Sequence, residues 1–408
     1  MVQRDFDGFN IFNVTQDIKY TDGTIQTAIN EADSGDEIYV GTGTFRESLT
    51  INKSITLIGN YMAGSGSYPT VLDGGPVSDA PGIQIAVGVS DVTIKGFEIR
   101  DFASGGIVAQ GTGVDNVTIE NNYIHAVDAD GICGSVGGTQ TLAGWTVSDN
   151  TIEGYGGSGI SLVNVVDSIV NNNVISNTNP GSAAIDVACQ TSSGSVTSSG
   201  VTIADNIITN GDVRVTATGT GTGTATAQNA TISGNEIAGG AIRVSADAQV
   251  SSSATVADIT IDGNTISGDA VGLEIGKQGS GTTSLQNFTI NGNDLAIDNP
   301  NATGYAICLA DIGGESIFAN NTVAITGTTG SGVVFDGMDI SGNATGKWTI
   351  SNNQLNGGEV GTASSGIRIR SNLSGNSQLN ITGTEVTGWA QGIKSDNLAT
   401  GVLVEIRK

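Results

Sequence analysis

Aromatic residues, prolines and cations are scarce in this chain of 408 residues. Aromatic side chains make up 5% of it, there are 5 prolines, and only 15 residues are lysine or arginine. No run of 18 apolar residues occurs, so we expect no membrane insertion. The start, MVQRDFDGFN, lacks the apolar stretch of a signal peptide. The three cysteines, Cys133, Cys189 and Cys308, form no CxxC pair, which predicts neither a disulfide framework nor a zinc site.

The charge balance is strongly acidic, with 40 acidic residues and a net charge of −25. Such a chain repels phosphates, which argues against nucleic acid as a partner. Scattered acids keep a protein soluble in a salty medium, and we expect an extracellular, cell-surface or virion-surface location. Acids also bind cations, so calcium is kept as a candidate cofactor, although the sequence requires none.

An asparagine recurs through most of the chain, in phrases such as NATISGNEI, DITIDGNTI and NFTINGNDL. Successive members are 23 to 33 residues apart. They are Asn122, Asn150, Asn173, Asn206, Asn235, Asn264, Asn293, Asn321 and Asn353. Phe97 takes the same place one repeat earlier, and Thr384 takes it one repeat later. A period in this range indicates stacked supersecondary units.

Within each repeat the apolar residues alternate with polar ones, which is typical of short strands. Three such strands, separated by Gly, Asn, Asp and Ser, predict one rung, meaning one turn of a parallel β-helix. The predicted fold is therefore all-β, a parallel β-helix of about 11–13 rungs. The asparagine stands at a bend, where it tolerates a left-handed backbone, and its side chains are expected to form a hydrogen-bonded ladder up the stack.

The segment from Gly23 to Asn60, GTIQTAINEADSGDEIYVGTGTFRESLTINKSITLIGN, resembles the pectin lyase-like superfamily of right-handed parallel β-helices. The repeats extend this resemblance over nearly the whole chain. The resemblance implies an N-terminal amphipathic helix that covers one end of the solenoid. The residues agree, because Ile25, Ala28, Ile29 and Ala32 share one helical face.

The predicted helix begins at a cap formed by Asp22 or Thr24 and ends near Gly35. We divide the chain into residues 1–45, with the helix and the first strand, and residues 46–408, the β-helix. The last residues, GVLVEIRK, read as one more strand without a cap. We expect a second copy of the chain or further polypeptide to cover that end.

The resemblance also implies that ligands lie on the outer face of the first sheet, which is formed by the strands that begin with Gly-Ile. The residue after each inward aliphatic points outward. This outward column is Val108, Cys133, Ser161, Asp186, Arg214, Arg243, Glu274, Cys308, Val334, Arg368 and Lys394. Its middle carries four charges on four successive rungs, namely Asp186, Arg214, Arg243 and Glu274.

Two interpretations of these charges stay open. Opposite charges on neighbouring strands form a stabilising ladder, worth about 0.2–1 kcal/mol per pair. Paired arginines also hold carboxylates or sulfates through forked contacts. Asp186 and Glu274 are about 14 Å apart by strand spacing, too far for an acid–base pair of a glycoside hydrolase.

The same rungs carry long segments rich in Ser, Thr, Gly and Ala between residues 188 and 287. Because they are in register, we expect an extra sheet layer that forms one wall of the groove. Ordered threonine rows also leave an ice-binding surface as a minor alternative.

The resemblance supplies no complete catalytic motif. DADGI, ending at Ile132, and RIR, starting at Arg368, each match part of the polygalacturonase pattern, but they lie eight rungs apart. Asp128 and Asp130, with Asp186 and Arg214, weakly resemble the calcium site of pectate lyases. The single histidine, His125, is assigned to the surface or to a site with Asp128 and Asp130.

Two classes of function therefore remain. One is a β-helix that binds, and as a lyase or hydrolase cleaves, an acidic polysaccharide in the groove. The other is a non-catalytic structural or adhesive solenoid within a larger surface protein. The charged column favours the first class. The absence of a complete catalytic motif and the placement of Trp145, Trp348 and Trp389 away from that column favour the second.

Overall fold

The three-dimensional structure is a computed structural model. It describes residues 10–21, 23–61, 66–75, 79–178, 182–268, 271–297, 304–325, 335–341, 346–358, 364–370, 378–396 and 403–407. Its contacts divide the chain into a first unit, residues 1–178 with 182–187, and a second unit, residues 179–181 with 188–408. None of the helices in these ranges is long and apolar enough to cross a bilayer.

Three sheets make up the first unit, and the chain visits them in turn. Their strands pair in parallel, except that Ile11–Asn13 pairs antiparallel with Ile18–Tyr20 and with Asp36–Val40. Its first sheet contains Leu49–Ile51, Ile83–Ile85, Ile107–Gln110, Ile132–Ser135, Ile160–Val163 and the start of Ala183–Thr191. Its second sheet contains Ile11–Asn13, Ile18–Tyr20, Asp36–Val40, Ile55–Ile58, Val92–Lys95, Val117–Glu120, Leu142–Ala143, Thr146–Ser148, Val165–Val166 and Ile169–Asn171. Its third sheet contains Gly43–Phe45, Thr70–Asp73, Glu98–Arg100, Tyr123–Val127, Thr151–Tyr155 and Val174–Ser176.

The second unit repeats this arrangement. Its first sheet contains the end of Ala183–Thr191 and then Asp212–Gly219, Ile242–Ala248, Leu273–Gly279, Gly304–Ala310, Phe335–Ser341, Ser365–Arg370 and Gln391–Asp396. Its second sheet contains Ser195–Ser199, Thr202–Ala204, Thr224–Gln228, Thr231–Ser233, Ser253–Asp262, Thr282–Asn291, Ile312–Ala319, Gly346–Ser351, Gln378–Thr382 and Leu403–Arg407. Its third sheet contains Ile207–Thr209, Glu236–Ala238, Thr265–Gly268, Asp294–Ile297, Thr322–Ile325, Gln354–Asn356 and Glu385–Thr387.

This architecture confirms the predicted all-β parallel β-helix, with about 11 turns. Aliphatic residues fill its interior because they occupy alternate strand positions, which all point inward. In the first sheet of the first unit, Leu49, Ile83, Ile107, Ile132 and Ile160 lie directly above one another and are fully buried. Burial of each such side chain contributes about 1.5–3 kcal/mol to folding.

The residues that the structure describes contain one helix, α1 (Ile25–Glu31), which lies at the start of the first unit. Thr24 caps it by accepting a hydrogen bond from the N–H of Thr27 at 3.1 Å. The Glu47 carboxylate accepts from the first two helical N–H groups, which favour a negative charge. The predicted apolar face is buried against strands of the first and second sheets.

The predicted helix ends differ from the structure in two respects. Asp22, the alternative cap, lies outside the described residues. The helix stops at Glu31 with Ala32 as its C-cap, rather than near Gly35. Gly35 instead has a φ of +95°, which places it in the turn before the next strand.

The recurring asparagines form hydrogen-bonded ladders at the turn between the second and third sheets. In the second unit, each amide oxygen from Asn235 to Asn353 accepts from the backbone N–H and the Nδ2 of the asparagine one rung earlier, at 2.9–3.0 Å. In the first unit the amide oxygen of Asn150 accepts in the same way from Asn122, and that of Asn173 accepts from Asn150, at 3.0–3.1 Å. The ladders extend as expected to Phe97, whose N–H donates to Asn122, and to Thr384, which accepts from Asn353.

The left-handed residue of this turn is not the ladder asparagine itself, contrary to our expectation. It is the residue before it, and examples are Asn121 with φ +54°, Asp205 with φ +54° and Gly234 with φ +63°. That residue makes the bend and so aims the next side chain into the stack. Gly, Asn or Asp occupies that position because these residues tolerate the left-handed backbone conformation.

Replacement of Asn235 by alanine tests the ladder. The Asn235 side chain donates to two backbone carbonyls and to Asn264, and it accepts from Asn206. Alanine leaves these buried groups without partners, so the free energy of unfolding should fall by about 3 kcal/mol or more. Asn380→Ala, at a half-exposed strand position, is the control and should change it by about 0.5 kcal/mol or less. Equal urea midpoints for the two variants would refute the ladder as a stabilising element.

Candidate functional site

The outward column of the first sheet is continuous through the second unit. Its register runs from one strand to the next through Arg214, Arg243, Glu274, Cys308, Asp339, Arg368 and Lys394. Asp186 is half-buried in the strand Ala183–Thr191, in the part that belongs to the first unit. Three of the four predicted charges therefore lie together on successive strands, spaced roughly 4.8 Å apart.

One member of the predicted column is wrong. We assigned Val334 to the rung between Cys308 and Arg368, and that residue lies outside the described ranges. The register places Asp339 there, with Met338 as the inward residue. The phrase GVVF resembles the usual Gly-Ile strand, whereas the strand that pairs is FDGMDIS. The sequence analysis therefore missed a buried acid, Asp339, in this column.

A second missed residue, Asp212, holds the two arginines in place. Its side chain is 7% exposed, and its Oδ2 accepts hydrogen bonds from Arg214 and Arg243, each at 2.9 Å. Its Oδ1 accepts from the N–H of Ala241 at 3.0 Å. Glu274 forms a further ion pair with Arg243. Burial disfavours the charge on Arg243, but Asp212 and Glu274 outweigh it and raise the pKa of the guanidinium.

Arg368 and Lys394 continue the column with carboxylate partners. Arg368 contacts the buried Asp336 at 3.2 Å and Asp396 at 2.9 Å. The hydrogen bond from Arg368 lowers the pKa of Asp396. Lys394 lies 3.9 Å from Asp396. These two cations form an ion-pair cluster on the strands that follow Asp339.

A cleft of about 560 Å³ lies over the first sheet of the second unit. Its floor is a row of small residues on successive strands, two positions beyond the charged column: Thr216, Ser245, Gly276, Ala310 and Ser341. Four cations border it, namely Arg214, Arg243, Lys277 and Arg370. The acids among its lining residues are Glu274 and Asp339. Because the floor side chains are small, they leave an open cleft, and the charged side chains border it.

Tyr305, Cys308 and Asp339 form the buried side of this cleft. Burial, together with the neighbouring Asp339 and Glu274, raises the pKa of the Cys308 thiol to about 11. Burial also raises the pKa of the Tyr305 phenol, and the neighbouring Cys308 adds to this rise. Neither group supplies an anionic nucleophile near neutral pH. Tyr305 is the only aromatic residue among those that line the cleft.

The Ser- and Thr-rich segments fold as strands. Ser195–Ser199, Thr224–Gln228, Ser253–Asp262 and Thr282–Asn291 pair in parallel, and they pack against the extended ends of first-sheet strands. Buried alanines such as Ala217, Ala225, Ala246 and Ala254 separate the two layers. The cleft lining comes from the first-sheet strands themselves, so the wall expected from the second layer is absent from its described lining.

A family model described as "Right handed beta helix region" matches residues 81–254 and 143–323, more than half of the chain. This chain belongs to the right-handed β-helix family. The match confirms the right-handed parallel β-helix that the resemblance implied. No curated protein matches the sequence.

Solved structures of similar backbone differ in activity. An alginate lyase from Paenibacillus sp. str. FPU-7 is 15% identical, with a TM-score of 0.40, over 79% of this chain and 94% of the lyase. A surface adhesin of Streptococcus pneumoniae is 12% identical, with a TM-score of 0.47, over 81% and 83%. The A-module of a mannuronan C-5 epimerase from Azotobacter vinelandii is 15% identical, with a TM-score of 0.41, over 92% and 94%. A fold does not by itself specify a function.

In the first unit of this right-handed β-helix, His125 lies within an aromatic and acidic cluster. Its Nε2 is 3.2 Å from Glu98 Oε1, and its ring stacks on Tyr123 at 4.3 Å. The Tyr123 hydroxyl donates a hydrogen bond to Glu153 at 3.0 Å. Burial, and to a smaller extent this hydrogen bond, raises the pKa of Tyr123 to about 12. His125 therefore contacts Glu98 and Tyr123, whereas the sequence analysis considered Asp128 and Asp130 as its partners.

Asp128 and Asp130 lie in the turn that follows His125. Asp130 accepts a hydrogen bond from the N–H of Ser158 at 2.7 Å, which fixes the next rung. Asp128 is exposed. Within the described ranges, no group of three His, Cys, Asp or Glu side chains is placed to hold a metal ion. Calcium binding stays a prediction.

Replacement of Asp212 by asparagine tests how the arginines are held. The change removes the carboxylate that Arg214 and Arg243 share, and loss of these charge-assisted hydrogen bonds costs about 1.5–3 kcal/mol because both guanidinium groups stay partly exposed. Glu315→Gln is the control, because Glu315 is 81% exposed and lies 3.7 Å from Lys347. We expect a lower urea midpoint for Asp212→Asn only. Equal midpoints would contradict a structural role for Asp212.

Alkylation measures the state of the Cys308 thiol. The pKa of about 11 predicts that iodoacetamide at pH values near 8 modifies native Cys308 far more slowly than the unfolded chain. Mass spectrometry of the Cys308 peptide provides the rate. Modification as fast as in urea would show that the thiol is exposed and ionised.

Proposed function

We propose that this right-handed β-helix binds an acidic polysaccharide in the cleft of its second unit. The supporting observation is the concentration of positive charge. Four of the 15 lysines and arginines border one cleft in a chain of net charge −25. The lining has four cationic and two acidic side chains, and the buried Asp212 beneath Arg214 and Arg243 is a third acid, for a formal balance of +1. A local reversal of charge favours an anionic ligand.

The shape and chemistry of the cleft suit a sugar polymer. Its volume lies within the roughly 300–1,000 Å³ typical of ligand sites. The small floor residues let a sugar ring approach the sheet closely, and Thr216, Ser245 and Ser341 offer hydroxyls for hydrogen bonds. Arginine side chains form forked contacts with carboxylates and sulfates.

Asp212 prepares Arg214 and Arg243 for this role. The two guanidinium groups share one buried carboxylate, yet 33% and 37% of their side chains stay exposed. Their conformations are therefore restricted before a ligand arrives, which reduces the entropy lost on binding. A site of this kind fits a protein that works outside the cell or on a cell or virion surface, where acidic polysaccharides occur.

Binding is tested with Lys277→Gln combined with Arg214→Gln. Lost charge-assisted contacts of about 1.5–3 kcal/mol each predict at least about tenfold weaker binding of a polyuronate or sulfated polysaccharide. Lys347→Gln is the control, because Lys347 is 64% exposed on the second sheet of the same unit. The measurement is isothermal titration calorimetry with each polymer, with and without calcium.

The same polymers show whether bound substrate is cleaved. Formation of an unsaturated sugar, detected by its ultraviolet absorbance, would identify a lyase, and new reducing ends without that absorbance would identify a hydrolase. Binding without cleavage would identify a binding module. No binding of any polymer would refute the proposal and support the alternative, a structural or adhesive solenoid in which the charges act as ion pairs.

A further inference from the structure

Three buried aspartates of the second unit differ in how well they are hydrogen-bonded. Asp212 accepts from the Ala241 N–H with one oxygen and from two arginines with the other. Asp336 is 1% exposed and is satisfied in the same way, by the Ser365 N–H at 2.8 Å and by Arg368. Each carboxylate therefore has a partner for both oxygens.

Asp339 is the exception. Its side chain is 2% exposed, and its Oδ2 lies 2.6 Å from Arg370. Its Oδ1 is buried and has no hydrogen-bond partner among the described residues. A buried carboxylate with one unpaired oxygen is costly, so its charge depends heavily on the single guanidinium that contacts it.

Arg370 connects this carboxylate to the ligand space. It is 44% exposed and belongs to the lining of the cleft. A carboxylate or sulfate that enters the cleft offers the same forked acceptor as Asp339. Arg370 can then turn toward the ligand, because more than a third of its side chain already faces solvent.

We propose that an anionic ligand draws Arg370 away from Asp339 and that Asp339 takes up one proton as the ligand binds. This inference rests on the proposed function, since it concerns the same cleft. It assigns Arg370 as the residue that selects the anionic group of the ligand. The proton comes from solvent and binds to an Asp339 oxygen, and no covalent bond of the ligand changes.

The charges around Asp339 fix the sign of the effect. Burial raises the pKa of Asp339, Arg370 and Arg368 oppose this, and the neighbouring Asp336 adds to it. When Arg370 leaves, burial and Asp336 are opposed by Arg368 alone, so the pKa rises further.

The other groups on this side of the cleft are Glu274, Tyr305 and Cys308. The phenol and the thiol stay protonated near neutral pH because burial raises both pKa values. Between the pKa of Asp339 in the unliganded state and its higher pKa in the liganded state, affinity should therefore rise as pH falls. Outside this window it should be constant.

Calorimetry in two buffers of different ionisation enthalpy counts the protons. The probes are a dextran sulfate oligosaccharide, whose charge does not titrate near neutral pH, and an alginate oligosaccharide, which distinguishes sulfate from carboxylate as the selected group. The wild type should take up as many as one proton per site, with affinity rising by at most about tenfold per pH unit.

Asp339→Asn should bind without proton uptake, independently of pH, and at least as tightly as the wild type at its best pH, because Arg370 has lost its competing partner. Glu315→Gln should behave as the wild type. Arg370→Gln should weaken binding about tenfold or more and abolish the proton uptake.

The outcomes distinguish failure of the proposed polysaccharide binding from failure of the proposed proton uptake by Asp339. No binding of either oligosaccharide by the wild type would refute the proposed function itself. Binding with no proton uptake at any pH would refute this inference and leave the proposed function intact. Proton uptake that persists in Asp339→Asn or in Arg370→Gln would also refute it. If Asp339→Asn does not fold, the wild type and Arg370→Gln still give the answer.

Discussion

The register between successive rungs is the constraint on which the rest of this structure depends. A shift of one residue would turn every inward aliphatic outward, because side chains alternate along a strand. The asparagine ladders prevent such a shift. Within each ladder an amide oxygen accepts from both the backbone and the side chain of the asparagine one rung earlier, as Asn264 does from Asn235, and the first ladder starts at the backbone N–H of Phe97. A left-handed residue before each asparagine holds the side chain at the angle that these bonds require.

A fixed register also explains the chemistry of the outer face. One residue per rung projects into the charged column, so Arg214, Arg243 and Glu274 meet although about thirty residues separate them in sequence. Buried aspartates then bind the arginines from below. Asp212 and Asp336 are satisfied on both oxygens and act as fixed supports. Asp339, with one oxygen unpaired, is a site where occupancy of the cleft changes the charge of the protein.

The fold was predictable because two independent patterns agree. The asparagine period sets the rung, and alternation within each rung sets the three strands. The residues of the charged column were predictable only on rungs whose first-sheet strand follows the Gly-Ile pattern. GVVF imitates a Gly-Ile strand, so Asp339 and its contact with Arg370 were missed. Asp212 precedes its strand's aliphatic core, and nothing in the sequence shows that its carboxylate is buried. Partners such as Glu98 for His125 depend on side-chain conformation, which a repeat does not specify.

The division between an inward and an outward set of residues has an evolutionary consequence. A codon change in the column alters one point of the cleft and leaves the aliphatic stack and the asparagine ladder untouched. Duplication of a rung would lengthen the cleft by one strand spacing, roughly 4.8 Å, and would add one new position to vary. Ligand preference in such a protein can therefore diverge in small steps while the scaffold stays under strong selection.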